Sequence, residues 1–156
     1  MPGRDDYILR YLELIRQFLA QVVKLRDGGN LDQALRVLFQ AQEKLFARPA
    51  SEFITRSLDE QLQLLTIGES NENARAKRIG YALLLREAGL IYLQRDRADL
   101  GESAFQLALQ IMLIVSVEAP KETEEHRPML QDLLSRVKPE QLHPPVKELL
   151  EKLGET

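Results

Sequence analysis

Two histidines and a cluster of glutamates are the first residues whose types could do chemistry. The chain contains His126 and His143 and no cysteine, and Glu122, Glu124 and Glu125 immediately precede His126. Carboxylate and imidazole groups are common metal ligands. However, neither histidine lies four residues from another ligand within a predicted helix, and the glutamates fall in a charged stretch. The sequence therefore favours a solvated acidic loop, and we predict no metal site.

Patterns for nucleophilic catalysis or phosphate binding are equally weak. Gly28 and Gly29 follow a predicted helix and not a strand, which argues against a phosphate-binding loop. Asp5 and Asp6 are best explained as acidic residues at a helix N-terminus, where they complement the helix dipole. The serines have no nucleophile-elbow motif: Ser51, Ser57, Ser70, Ser103, Ser116 and Ser135. We therefore expect no catalytic residue, no cofactor and no enzymatic activity.

The composition is that of one helical domain. Of 156 residues, 44% are hydrophobic and only 6% aromatic, and helix-forming Leu, Ala, Glu, Gln and Arg dominate. The net charge is −3 with both signs interspersed, and the basic stretch "ARAKR" (74–78) is far smaller than a nucleic-acid-binding surface. We expect no nucleic-acid partner.

The termini and the apolar runs bear on location. The start "MPGRDDYILR" has no apolar region like that of a signal peptide. The longest apolar run, "IMLIVSV" (111–117), is far shorter than the roughly 18–20 residues that span a bilayer. With no cysteine available for disulfides, the sequence predicts a cytoplasmic protein without a membrane partner.

Apolar residues recur at helical spacing over nearly the whole chain, and no segment has a convincing strand pattern. We predict an all-α fold, an antiparallel bundle of five to seven helices. Asn30 and Ser51 are the expected N-caps of the second and third helices, and Ser70 or Asn71 is the expected N-cap of the fourth. The predicted helices cover about 6–25, 31–45, 52–65, 71–95, 99–117, 128–137 and 146–153.

Small and aromatic residues repeat within the chain. The later copy contains Gly89, Tyr92, Gly101, Phe105 and Ala108. Sixty-seven residues earlier stand Val22, Leu25, Ala34, Leu38 and Ala41. All but the first pair match in size, and 67 residues is close to two units of a repeat of about 34 residues.

Residues 88–108 resemble a tetratricopeptide repeat, and residues 18–41 resemble a weaker copy. The resemblance implies antiparallel helix pairs in which small residues allow close approach and Tyr92 and Phe105 fill the space to the next pair. The proline that this family has after its last small residue is replaced by Leu113 and Phe46, and a single helix separates the copies. The resemblance therefore implies a tetratricopeptide-like bundle and not a regular solenoid.

The N-terminus carries a second resemblance. "DDYILRYLELI" (5–15) is similar to the start of an uncharacterised bacterial family of small helical proteins, whose members begin with an acidic–Tyr–Ile–x–Arg pattern. This implies a bacterial origin and no particular activity.

Tetratricopeptide grooves often bind extended peptides through the first helix of each pair. On those faces this chain offers Arg16, Arg26, Arg86 and Gln94, and arginine can bind a carboxylate through two hydrogen bonds. The alternative, that these are ordinary solvent-facing residues, is the favoured interpretation, because Leu90 and Leu93 interrupt the polar pattern.

The charge pattern divides the chain. We predict a tetratricopeptide-like domain at 1–117, a charged linker at 118–127 ("EAPKETEEHR") and a C-terminal helical appendage at 128–156, docked on the same domain.

The helix containing "IMLIVSV" is apolar around most of its circumference and must be covered on several sides. Either the C-terminal helices cover it or a second copy does, and we expect a homodimer.

These features predict a non-enzymatic protein–protein interaction or assembly module with an unidentified protein or peptide partner. The alternative is a regulatory domain that binds a small ligand between its helices. An open groove lined by Arg, Asn and exposed Leu favours the first, and a closed apolar pocket favours the second.

Overall fold

The computed structural model describes the backbone of residues 4–154 and the side chains of residues 7–154, and all regular elements within these ranges are helical. Three short 3₁₀ turns lie at Ala50–Glu52, Glu124–His126 and Pro139–Gln141. The α-helices are α1 Arg4–Asp27, α2 Leu31–Phe46, α3 Leu58–Leu65, α4 Asn71–Gln94, α5 Ala98–Glu118, α6 Arg127–Arg136 and α7 Pro144–Gly154. The predicted all-α bundle of five to seven helices is confirmed.

Serine hydroxyl groups begin α3 and α4. Ser57 Oγ and Ser70 Oγ each accept a hydrogen bond from the backbone N–H three residues on, at 3.2 and 3.1 Å. Of the two caps predicted for α4, Ser70 and Asn71, the structure has Ser70. The prediction for Ser51 is wrong, because Ser51 lies inside a 3₁₀ turn and the actual cap of α3, Ser57, stands six residues later. Asn30 does stand at the start of α2, but its side chain makes no capping hydrogen bond.

The helices pack in the order in which they occur along the chain. α1 and α2 form a pair, α4 packs against both of them, and α5 packs along α4. α6 and α7 then cover the other side of α5. Buried residues from α1 to α7 join one hydrophobic core, and the short α3 lies beside α2 and α4.

Two glycines set the approach of α4 and α5. A Cβ built on Gly89 would lie 2.5 Å from the Phe105 ring, and a Cβ on Gly101 would lie 3.1 Å from the carbonyl oxygen of Gly89. Phe105 is only 1% exposed. The predicted close helix contact at both glycines is therefore confirmed, while Tyr92, expected to be largely buried, is only partly buried.

The C-terminal helices complete the cover of α5. Met112 and Val115 belong to the apolar run "IMLIVSV" of α5, and both are fully buried within the single chain. Leu133 of α6 and Val146 of α7 are also fully buried in the shared core. A second copy of the chain is therefore not needed to cover α5. The expectation of a homodimer now depends on α1, where Tyr7 and Leu9 are 49% and 63% exposed.

The same helix is the one candidate membrane span within the described residues. α5 has the length and the apolar composition to cross a bilayer, although 61% of its most apolar 18-residue window is buried inside the structure. The sequence alone did not predict this candidate span, because isolated polar residues such as Gln106 and Gln110 divide the apolar stretch of α5. A core helix of a soluble protein has these same properties.

The predicted linker, 118–127, overlaps the neighbouring helices, because Glu118 still belongs to α5 and Arg127 begins α6. The residues between them form a turn followed by a 3₁₀ helix. Most of its side chains are exposed, but Ala119 and Thr123 are 7% and 4% exposed. Thr123 Oγ1 donates a hydrogen bond to the carbonyl oxygen of Ala119 at 2.8 Å. The path of this segment between α5 and α6 is therefore fixed by its own buried residues.

Candidate binding groove

α1 and α4 lie side by side and run in the same direction. At one end Lys77 Nζ lies 5.1 Å from the centre of the Tyr11 ring, and further along both helices Arg26 forms an ion pair with Glu87. A groove of about 510 Å³ opens between the helices and is bordered by residues 122–126. It is the strongest candidate site in the part of the chain that the structure describes.

Apolar side chains form the floor of this groove. Leu12 and Leu19 come from α1, Ile79 and Leu83 come from α4, and all four are partly exposed, whereas Ile15 beneath them is buried. Ala76 and Gly80, one turn apart on α4, also line the groove. The floor is therefore an open apolar surface and not an enclosed cavity.

Charged residues of both signs form the rim. Arg16 comes from α1, and Glu72 and Arg75 come from the first turns of α4. Glu122, Glu125 and His126 come from the segment between α5 and α6, where His126 Nε2 lies 3.4 Å from Glu125 Oε1. An open apolar floor with a charged rim is suited to an amphipathic partner.

The four predicted binding residues do not form one site. Arg16 lines the groove, and its side chain is 77% exposed. Arg26 and Arg86 are joined through Glu87 outside the groove lining. Gln94 is an exposed residue at the end of α4.

Arg26 and Arg86 belong to a chain of ion pairs that crosses three helices. Glu87, with 9% of its side chain exposed, pairs with Arg26 from α1 and lies 3.4 Å from Arg86 Nη1. Arg86 Nε donates to Asp132 Oδ2 at 2.7 Å, and Arg136 Nε reaches the same oxygen at 3.0 Å. The carboxylates thus hold both arginines in place and connect α1, α4 and α6.

Glu87 and Asp132, the two carboxylates of these ion pairs, have pKa values that are shifted in opposite directions. Burial raises the pKa of Glu87 above its ordinary value, although Arg26 and Arg86 act in the opposite direction. Burial also acts to raise the pKa of Asp132, but hydrogen bonds from Arg136 and Arg86 outweigh it and hold that pKa below its ordinary value. The cluster contains charge-assisted hydrogen bonds and stabilises helix packing.

A second buried cation lies at the other end of α4. Lys77 Nζ lies 3.0 Å from Glu69 Oε1 and stacks over the ring of Tyr11. The Tyr11 hydroxyl donates to the backbone carbonyls of Lys44 and Leu45, and burial, followed by Tyr7 and Glu69, raises its pKa. These contacts tie α1 to α2 and α4.

Sequence reasoning did not identify most of the groove. It assigned Glu122, Glu125 and His126 to a solvated loop and Arg75 to a helix surface. The signal that pointed to the groove was the apolar arc of the first helix, which is wider than one neighbouring helix can cover. Among residues 7–154, no group of three acidic or histidine side chains is arranged to hold a metal ion.

No protein-family model, curated protein or solved structure matches this chain.

Proposed function

We propose that this chain is a non-enzymatic protein-interaction module that binds a segment of its partner in the groove between α1 and α4. The supporting observation is the groove itself, which combines an open apolar floor with a rim of mixed charge. Leu12, Leu19, Ile79 and Leu83 remain partly exposed on that floor. Burying them against a partner would gain roughly 25 cal/mol for each Å² of apolar surface.

The helix arrangement supports a tetratricopeptide-like role. α4 stands between α1 and α6, to which it is joined by the Arg26–Glu87 and Arg86–Asp132 pairs. In a tetratricopeptide-like stack these three are the first helices of successive pairs, and their common face is the binding face. Arg16 then contacts the partner, while Arg26 and Arg86 support the face from within. We propose that the module works in the cytoplasm.

A small ligand is the second candidate, because about 510 Å³ is within the volume range of small-molecule sites. Such sites usually enclose most of the ligand surface. This groove leaves its apolar floor partly exposed and carries exposed charges at Arg16, Glu122 and Glu125. These features favour an extended or helical peptide.

A displayed library of random peptides, selected against the whole chain, tests the proposal. Peptides that bind in the groove should lose binding to the Leu19→Arg variant, which puts a charge on the apolar floor. Ile67→Arg is the matched control, because Ile67 is 66% exposed and lies outside the groove. Failure to select any peptide that Leu19→Arg rejects and Ile67→Arg retains would overturn the proposal.

A further inference from the structure

The segment between α5 and α6 distributes its charges over two different cavities. Glu122 and Glu125 line the groove between α1 and α4. Lys121, Glu124 and Arg127 line a separate cavity formed with α6 and α7. The groove receives two carboxylates and His126 from this segment, whereas Lys121, and Arg127 at the start of α6, lie on the other side.

This separation of charge is fixed by the local fold. Thr123, between the two sets of residues, is 4% exposed, and its hydroxyl is hydrogen-bonded to the carbonyl of Ala119. The residues that follow form the 3₁₀ helix Glu124–His126. Because the segment is anchored at Thr123, its acidic side cannot turn away from the groove without exposing a buried residue.

The carboxylates of the groove are poorly neutralised. Within the described residues, Glu72 and Glu122 form no ion pair. The ion-pair contact of Glu125 is with the imidazole of His126. The rim also carries Arg16 and Arg75, against three carboxylates. Arg16 lies 3.7 Å from Glu13, which does not line the groove, and Arg75 forms no ion pair with a carboxylate of the described residues. The wall formed by residues 122–125 therefore presents unpaired negative charge beside an apolar floor.

The length of the floor fits two turns of helix. Leu12 and Leu19 are seven residues apart on α1, which corresponds to about 10.5 Å along a helix axis. An amphipathic helix presents apolar side chains at i, i+3 or i+4, and i+7 over the same length. Cationic residues beside that stripe would lie against Glu122 and Glu125.

We infer that the segment bound in the groove is a cationic amphipathic helix, with its apolar stripe on the floor and lysine or arginine residues facing Glu122 and Glu125. This inference rests on the proposed function, because it specifies the chemistry of the partner at the same site. Complementary charge at the rim accelerates association and selects the partner.

Three fluorescent helical peptides test the inference. They have the same length and the same leucine pattern, and the positions beside the leucine stripe carry lysine in one, glutamine in the second and glutamate in the third. Binding is measured by fluorescence anisotropy at low and at physiological salt. The lysine peptide should bind most tightly, and its affinity should fall as salt rises. The double variant Glu122→Gln/Glu125→Gln should weaken it on the order of 10-fold, since each exposed pair contributes modestly.

The matched control is Glu124→Gln/Glu140→Gln, which removes the same net charge from positions outside the groove. This variant should bind the lysine peptide as the parent does. An equal loss in both double variants would mean that bulk charge governs binding, and the inference would be overturned.

Two other outcomes separate the inference from the proposed function. If all three peptides bind equally and Leu19→Arg abolishes that binding, the groove is a docking site and the cationic preference is wrong. If no peptide binds in a way that Leu19→Arg abolishes, both the inference and the helix-binding form of the proposed function fail.

Discussion

The ring of Phe105 occupies the space that a side chain at Gly89 would need. A Cβ at position 89 would lie 2.5, 2.7 and 2.8 Å from three carbons of that ring, and the ring is 1% exposed. Because its neighbours hold the ring in the core, it cannot swing aside as the end of a flexible chain would. The contact between α4 and α5 therefore depends on glycine at this position.

Gly89→Ala should destabilise the fold by about 1–3 kcal/mol, because overpacking the core outweighs the gain in helix propensity. Gly80→Ala on the same helix is the control, since its Cβ would meet Leu45 at an ordinary 3.7 Å. That control should stabilise the protein by about 0.4–1 kcal/mol. Urea unfolding measures both changes, and equal effects at the two glycines would contradict the packing explanation.

Gly101→Leu should also destabilise the helix crossing, by about 1–3 kcal/mol or more. A Cβ at this position would already lie 3.1 Å from the backbone oxygen of Gly89, which cannot move independently of α4. Gly154→Leu provides the comparison, because a Cβ there would meet no atom within 4 Å. If both leucine variants melt at the parent temperature, Gly101 is not at a close crossing.

Glu87 and Asp132 should give opposite pH dependences. The folded-state pKa of Glu87 is raised, so its stabilising effect is greatest below the ordinary pKa of about 4.3 and declines as pH rises through the higher folded value. The folded-state pKa of Asp132 is lowered, so its effect is present above about 3.9 and is lost as pH falls through the lower folded value.

Urea unfolding of the parent, Glu87→Gln and Asp132→Asn from pH 3 to pH 7 measures these effects. The cost of Glu87→Gln should decrease with rising pH, and the cost of Asp132→Asn should decrease with falling pH. Parallel pH profiles for the two variants would show that the ion-pair chain does not perturb these carboxyl groups as described.

The C-terminal helices should be separable from the rest of the chain at a cost in stability. Residues 1–117 should keep their helices but melt at a lower temperature, because the deletion uncovers the side of α5 on which Leu133 and Val146 pack. Circular dichroism of the truncated chain measures this. Recovery of only unfolded or aggregated protein would mean that the whole chain folds as one unit.

Self-association should proceed through α1, where Tyr7 and Leu9 are exposed. Sedimentation equilibrium at micromolar concentration should give about twice the chain mass of 17.9 kDa. Leu9→Arg should return the mass to that of one chain, because it places a charge in the shared apolar surface. A parent protein that sediments at 17.9 kDa would contradict the dimer.

The helices could be predicted from the sequence because apolar periodicity and small residues act locally. The glycine contact was also readable, since Gly89 and Gly101 lie on helices joined by a short turn. The start of α3 was predicted wrongly because both Ser51 and Ser57 are suitable N-cap residues, and the structure has Ser57. Gln61 Nε2 donates to the carbonyls of Phe53 and Arg56, which stabilises the irregular chain before Ser57.

The groove could not be predicted in the same way. Its walls come from residues near 12–19 and near 122–126, which are about a hundred positions apart and carry no common pattern. The buried position of Glu87 was not predicted, because in the sequence Arg86 and Glu87 look like two neighbouring charged residues on a solvent-facing helix surface. Only the packed helices show that it lies 9% exposed between two arginines.

The order in which the chain is made has a consequence for α5. This helix is apolar on most sides, and part of its cover comes from residues that follow it, including Leu130, Leu133 and Val146. About 36 residues after its last turn must still be synthesised before α7 is complete, which takes roughly 2–7 s at the usual rate of translation. During that interval the nascent protein carries an apolar helix whose α6 and α7 side is uncovered, so its yield in the cell should depend on chaperones that bind such helices at the ribosome.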